Sequence, residues 1–128
     1  MNKYISIVIT LILCSIALSQ ERFSSLDVFD LQYAKDPQIA PDNSKIVYVR
    51  TKMDIMKDSK RSSIWIIDTD GNNHQKLTSS NHDESSPRWS PDGKRIAFVS
   101  SSGDDNGSEI YIYWVDSKQY SAISQLDK

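Results

Sequence analysis

Short apolar runs separated by turn residues fill the chain from residue 36 to its end. "KRIAFVS" (94–100) and "EIYIYWV" (109–115) are rich in the β-branched and aromatic residues that suit a pleated surface. The runs are continuous as well as alternating, the pattern of a sheet covered on both faces. The pattern also occurs twice. "DPQIAPDNSKIVYVR" (36–50) matches "SSPRWSPDGKRIAFVS" (85–100) at an offset of 50 residues, pairing Pro37, Ile39, Pro41 and Ile46 with Pro87, Trp89, Pro91 and Ile96. "IWIIDTDGNNHQKLT" (64–78) matches "IYIYWVDSKQYSAIS" (110–124) at an offset of 46. Thirteen residues (51–63) join the two blocks in the first copy and nine (101–109) in the second, so one shortened loop accounts for the change of offset.

Each copy predicts successive antiparallel strands. In the second copy these are 87–90, 94–100, 109–115 and a fourth carried by Gln119 to Ser124; in the first copy "HQKLT" (74–78) supplies the fourth. Four strands per unit, with a period near fifty residues, describe a blade of a β-propeller. The expected fold is therefore all-β: a partial propeller of about two four-stranded blades, 36–85 and 86–128. A lead-in over 20–35 precedes them, with a short helix capped by Ser25 that carries Leu26 and Phe29 on one face and Asp27 in its first turn.

The tetrapeptide Ser90-Pro91-Asp92-Gly93 has the residues of a hairpin corner. Pro91 sets φ for the first central position, Asp92 suits the second, and Gly93 accepts the left-handed conformation that follows. Asn43 stands in the equivalent place in the first copy, and asparagine is the next most tolerant residue there. Backbone geometry explains the motif without a ligand.

Residues 1–19 differ from the rest. Lys3 is followed by a largely apolar run from Tyr4 to Leu18, and Ala17-Leu18-Ser19 puts small residues at −3 and −1 of a cleavage before Gln20. That is the layout of a secretory signal peptide, with an uncleaved membrane anchor as the alternative. Cys14, the only cysteine, lies inside this run behind a bulky Leu13, which does not suit lipidation, and the mature chain then has no thiol. Export to the periplasm or the medium is expected. The whole chain has 15 basic and 17 acidic side chains; losing Lys3 leaves 14 against 17, a net charge of −3. Charges of both signs are interspersed, so no nucleic-acid partner and, once the signal is removed, no membrane partner is expected.

"LDVFDLQYAKDPQIAPDNSKIVYVR", "IWIIDTDGNNHQKLT" and "SSPRWSPDGKRIAFVS" resemble the start of the propeller domain of prolyl oligopeptidase-family serine peptidases, in their acylaminoacyl-peptidase-like branch. "DVFDLQYAKDPQIAPD" and "MDIMKDSKRSSIWIIDTDG" carry the more specific part of the likeness, whereas TolB-like propellers share the Ser-Pro-Asp-Gly repeat. The resemblance implies a non-catalytic propeller that restricts which substrates reach an α/β-hydrolase domain further along the chain. It also implies that this sequence is an N-terminal piece or a truncated gene product, since no Gly-x-Ser-x-Gly elbow is present. Peptide substrate is then a partner only through the missing hydrolase domain, and protein partners or self-association are the remaining options.

The residues that could carry chemistry read more simply as structure. His74 aligns with Tyr120, and His82 falls in a polar loop, so neither is set up as the base of a serine nucleophile. "NHDE" (81–84) and "GDDNG" (103–107) gather possible metal ligands without a second segment or regular oxygen spacing. Trp65 aligns with Tyr111 and Trp89 with Ile39, which suggests packing between blades, while Trp114 aligns with Asp68 and has no ready explanation. "NGS" (106–108) matches a glycosylation acceptor. No catalytic, cofactor-binding or metal residue is assigned, and no cofactor is expected.

Overall fold

The computed structural model describes residues 24–101 and 107–124. Eight strands form two four-stranded antiparallel sheets. The first contains β1 (Gln32–Ile39), β2 (Lys45–Asp54), β3 (Ser59–Asp68) and β4 (Gln75–Lys76); the second contains β5 (Asp83–Trp89), β6 (Arg95–Ser101), β7 (Ser108–Trp114) and β8 (Gln119–Ala122). In both sheets the spatial order follows the chain, so every connection joins neighbouring strands.

The strand pairing reproduces both repeat offsets. Ile46 pairs with Ile67 and Thr51 with Ser62 in the first sheet, where Ile96 pairs with Tyr113 and Ser101 with Ser108 in the second. Lys45 opposite Asp68 becomes Arg95 opposite Trp114, so Trp114 fills the place of an ion-paired carboxylate. Residues 51–63 are mostly strand rather than loop: β2 runs on to Asp54 and β3 starts at Ser59.

Other boundaries also move. β1 takes in residues 32–35, and β5 begins at Asp83, ahead of the expected start at 87. β4 is only Gln75–Lys76, although the Leu77 amide still donates to the Ile64 carbonyl at 2.8 Å. In place of the expected short helix there is a single 3-10 turn, Asp27–Phe29, preceded by Leu26 with no side-chain cap. Ser25 does not cap it. The Ser24 amide donates instead to Asp27 Oδ2 at 2.6 Å, and the segment is too short to repay helix nucleation. The signal peptide, Cys14 and most of "GDDNG" lie outside the described residues.

Both hairpin corners close in the same way. The Asn43 amide donates to the Ala40 carbonyl and the Gly93 amide to the Ser90 carbonyl, each at 2.9 Å, with φ of 61° and 68°. Asp42 and Asp92 each accept the amide two residues on, from Ser44 at 2.9 Å and Lys94 at 3.0 Å. A Cβ on Gly93 would sit 3.6 Å from Pro41 Cδ, an ordinary contact, so the penalty of Gly93→Ala is conformational. It should destabilise by about 1–2 kcal/mol, whereas Asn43→Gly should change stability by only a few tenths in either direction. Urea midpoints of the two variants check this.

The first strands of the two sheets carry a feature that the sequence reading missed. The β1–β2 register shifts between Lys35 and Gln38, and the β5–β6 register shifts between Ser85 and Arg88, fifty residues on. Asp36 (φ 49°) and Ser86 (φ 55°) are left-handed at these bulges, each followed by a proline. Proline has no amide to give to the ladder, and a bulge is where a strand tolerates it.

The core lies between the sheets. Val47, Ile64, Ile66 and Leu77 from the first pack against Ile96, Phe98 and Tyr113 from the second, with Trp89, Tyr111 and Tyr120 at the margin.

Candidate functional site

The most elaborate constellation of polar side chains is the seam between the two sheets, and β5 builds most of it. Because β4 ends early, the amides of Ser62 and Ile64 on β3 face no strand. Side chains of the second sheet take them instead: Ser62 donates to Asp83 Oδ1 at 2.8 Å and Ile64 to Glu84 Oε2 at 3.0 Å. Glu84 is fully buried, and its other oxygen accepts from the hydroxyls of Thr78 and, at 2.7 Å, Ser80. A buried carboxylate is tolerable only when its lone pairs are matched by donors, and here Ile64, Thr78 and Ser80 supply three. Further along β5, the Arg88 guanidinium donates to both oxygens of Asp36 at 3.0 and 2.9 Å, and Trp89 Nε1 donates to the Gln38 carbonyl at 3.1 Å.

Hydrogen bonding from Arg88 is the main cause that holds the Asp36 carboxyl below its usual range, opposed by desolvation and helped by Gln38. A lowered carboxylate adds stability above the unfolded-state value near 3.9 and loses it as pH falls through the folded value. The urea midpoint should therefore drop below about pH 4, and Asp36→Asn should flatten that drop. The pair is largely exposed, so its share is about 1 kcal/mol or less.

The sequence candidates fall into place around this seam. Asp83 and Glu84 of the "NHDE" stretch turn into the interface rather than toward a shared centre. Among the described residues, no three His, Cys, Asp or Glu side chains are grouped to hold a metal ion. His82 lines an open cleft with Lys52, Arg61 and Lys76, and Arg61 donates to the Asn81 carbonyl. His74 Nε2 lies 2.6 Å from the Tyr48 hydroxyl and its ring 5.0 Å from that of Trp65, on the open face of the first sheet. The Arg50 guanidinium sits 4.6 Å above Trp65 in the same cluster. This cluster can stack and pair charge with π-faces; it aligns no nucleophile.

Of the three tryptophans only Trp89 packs at the seam, as expected from the repeat. Trp65 and Trp114 stand instead on the two open faces, because the residues opposite them face away from the core. Tyr48, Trp65 and His74 are the repeat counterparts of Phe98, Tyr111 and Tyr120, which pack together at the seam with ring centroids 5.6 to 6.5 Å apart, Phe98 stacked on Tyr111 and Tyr120 tilted against both. The Tyr111 phenol is pushed above its ordinary value, first by burial and then by its hydrogen bond to Glu109, and stays protonated at neutral pH. Sequence reasoning did not find the Asp83–Glu84 clamp. Its only signal is two acids in place of Tyr33 and Ala34 at the head of an otherwise repeated strand.

Residues 40–126 match the family described as the dipeptidyl peptidase IV (DPP IV) N-terminal region. The uncharacterized peptidase YuxL of Bacillus subtilis is 36% identical over 86 residues, 67% of this chain and 13% of that protein. The Tol-Pal system protein TolB of Thioalkalivibrio sulfidiphilus is 33% identical over 84 residues, 66% of this chain and 18% of TolB. The β-propeller domain of the trilobed protease from Pyrococcus furiosus aligns with a TM-score of 0.61 at 25% identity, over 80% of this chain and 29% of that one. The chain thus spans a small part of the relatives it matches, and its two sheets correspond to propeller blades.

Proposed function

Because the chain belongs to the family of dipeptidyl peptidase IV N-terminal regions, we propose that it forms two blades of the non-catalytic propeller of an exported prolyl oligopeptidase-like serine peptidase. The family match over residues 40–126 carries this reading, and the two four-stranded sheets, of which β2 to β8 lie within that match, support it. The propeller would restrict which peptides reach a hydrolase domain elsewhere in the whole protein. The apolar run at 4–18 supports export.

A second reading is favoured by the TolB likeness at 33% identity: an envelope module that binds protein partners and works without a hydrolase. The reading frame around the Lys128 codon separates the two. Further blades followed by a Gly-x-Ser-x-Gly elbow support the peptidase. Further blades without a hydrolase support the TolB-like module and overturn the proposal. The purified chain by itself is expected to leave chromogenic dipeptide and acyl-peptide substrates uncut, because its seam binds backbone amides and presents no activated nucleophile.

A further inference from the structure

Each open face of the two-blade unit is the repeat of a face that is buried at the seam. Ile64 is fully buried against the second blade, while its counterpart Ile110 is 41% exposed; Leu77 is 6% exposed and its counterpart Ile123 59%. Val47 and Val49 pass from buried to half-buried at Ala97 and Val99. On the other side, Ile96 and Phe98 are buried against the first blade, while Ile46 and Tyr48, their counterparts on the first blade's open face, are half-buried. The first blade therefore presents the surface that docks, and the second presents the surface that receives. The established seam is continued, one repeat on, at both ends.

We propose that, when these 128 residues stand on their own, a second copy occupies these faces, with the first blade of one molecule seated on the second blade of the next. This rests on the propeller reading above, in which the same faces take further blades of a longer chain. The contact is heterologous: two different surfaces meet, so association propagates into rings or fibres and does not stop at a symmetric pair. It is also less tightly tied than the internal seam. The incoming blade carries Tyr33 and Ala34 where β5 carries Asp83 and Glu84, and the Ile110 amide already has an acceptor in Ser124 Oγ at 2.8 Å. Aromatic and aliphatic packing must supply the contact.

Sedimentation velocity on the purified chain, with Trp65→Asp and Ile110→Asp, tests this. The wild type should form species larger than dimers, their share rising with concentration. Each variant alone lacks one face and should be monomeric. Mixed in equal amounts, the two variants should form a dimer and nothing larger, because each retains the face that the other has lost. Monomeric wild type at 100 µM overturns the proposal while leaving the family reading intact, since that is decided by the reading frame. Dimers of one variant alone would show a symmetric contact, and unchanged large species in both variants would show unspecific aggregation; either result sinks it. Arg50→Glu, over the Trp65 ring, and Ile123→Asp, at a more exposed position than Ile110, replace any variant whose far-UV spectrum departs from the wild type.

Discussion

Replacing Glu84 with alanine is expected to destabilise the chain by about 3–5 kcal/mol, more than any other single polar substitution considered for it. The carboxylate is fully buried and accepts from the Ile64 amide and from the hydroxyls of Thr78 and Ser80. Without it the amide and the buried Thr78 hydroxyl lose their acceptor and cannot reach water; each such group costs about 1–3 kcal/mol. The half-exposed Ser80 adds less. Glu84→Gln keeps one acceptor oxygen but turns an amide NH2 toward donors, so about 1–2 kcal/mol is expected. Asp83→Ala removes one bond at a partly open site, at about 1 kcal/mol. Urea unfolding followed by tryptophan fluorescence should rank the three in that order.

The second large effect compares ring deletions at repeat-equivalent positions fifty residues apart. Phe98→Ala removes a ring that is 2% exposed, at the centre of the seam, and should destabilise by about 3–5 kcal/mol. Tyr48→Ala deletes its counterpart on the open face, where the ring touches His74 rather than another blade. At protein concentrations low enough to keep the chain monomeric it should cost about 1 kcal/mol or less. Similar costs for the two would mean that the open face is packed as tightly as the seam.

The repeat made much of this legible. Its two offsets predict a pairing that the sheets follow residue for residue, because register is fixed wherever an apolar face is buried. The corner residues Asn43 and Gly93 were readable for a local reason, the need for positive φ. The end of the fourth strand at Lys76 was not, since it depends on where the chain must leave to reach the next blade. For the same reason Asp83 and Glu84 read in the sequence only as part of a solvated turn beside His82: nothing in a linear sequence shows that two amides of β3 lack a strand partner. The bulges at Asp36 and Ser86 were hidden behind prolines that the repeat marked only as matching positions. The lead-in misled in the usual way of short amphipathic segments, whose pattern fits a helix they are too short to hold.

Amide hydrogen exchange at Ser62 and Ile64 bears most directly on how the blades join. Neither amide has a partner in its own sheet; both are bonded only to carboxylates of the second blade. In the wild type the Ile64 amide should exchange as slowly as the central amides of β2 and β3, and in Glu84→Ala it should exchange at least tenfold faster, with Ser62 less affected. Rapid exchange at Ile64 in the wild type, at the rate of an open strand edge, would contradict the docking of the second blade on the first.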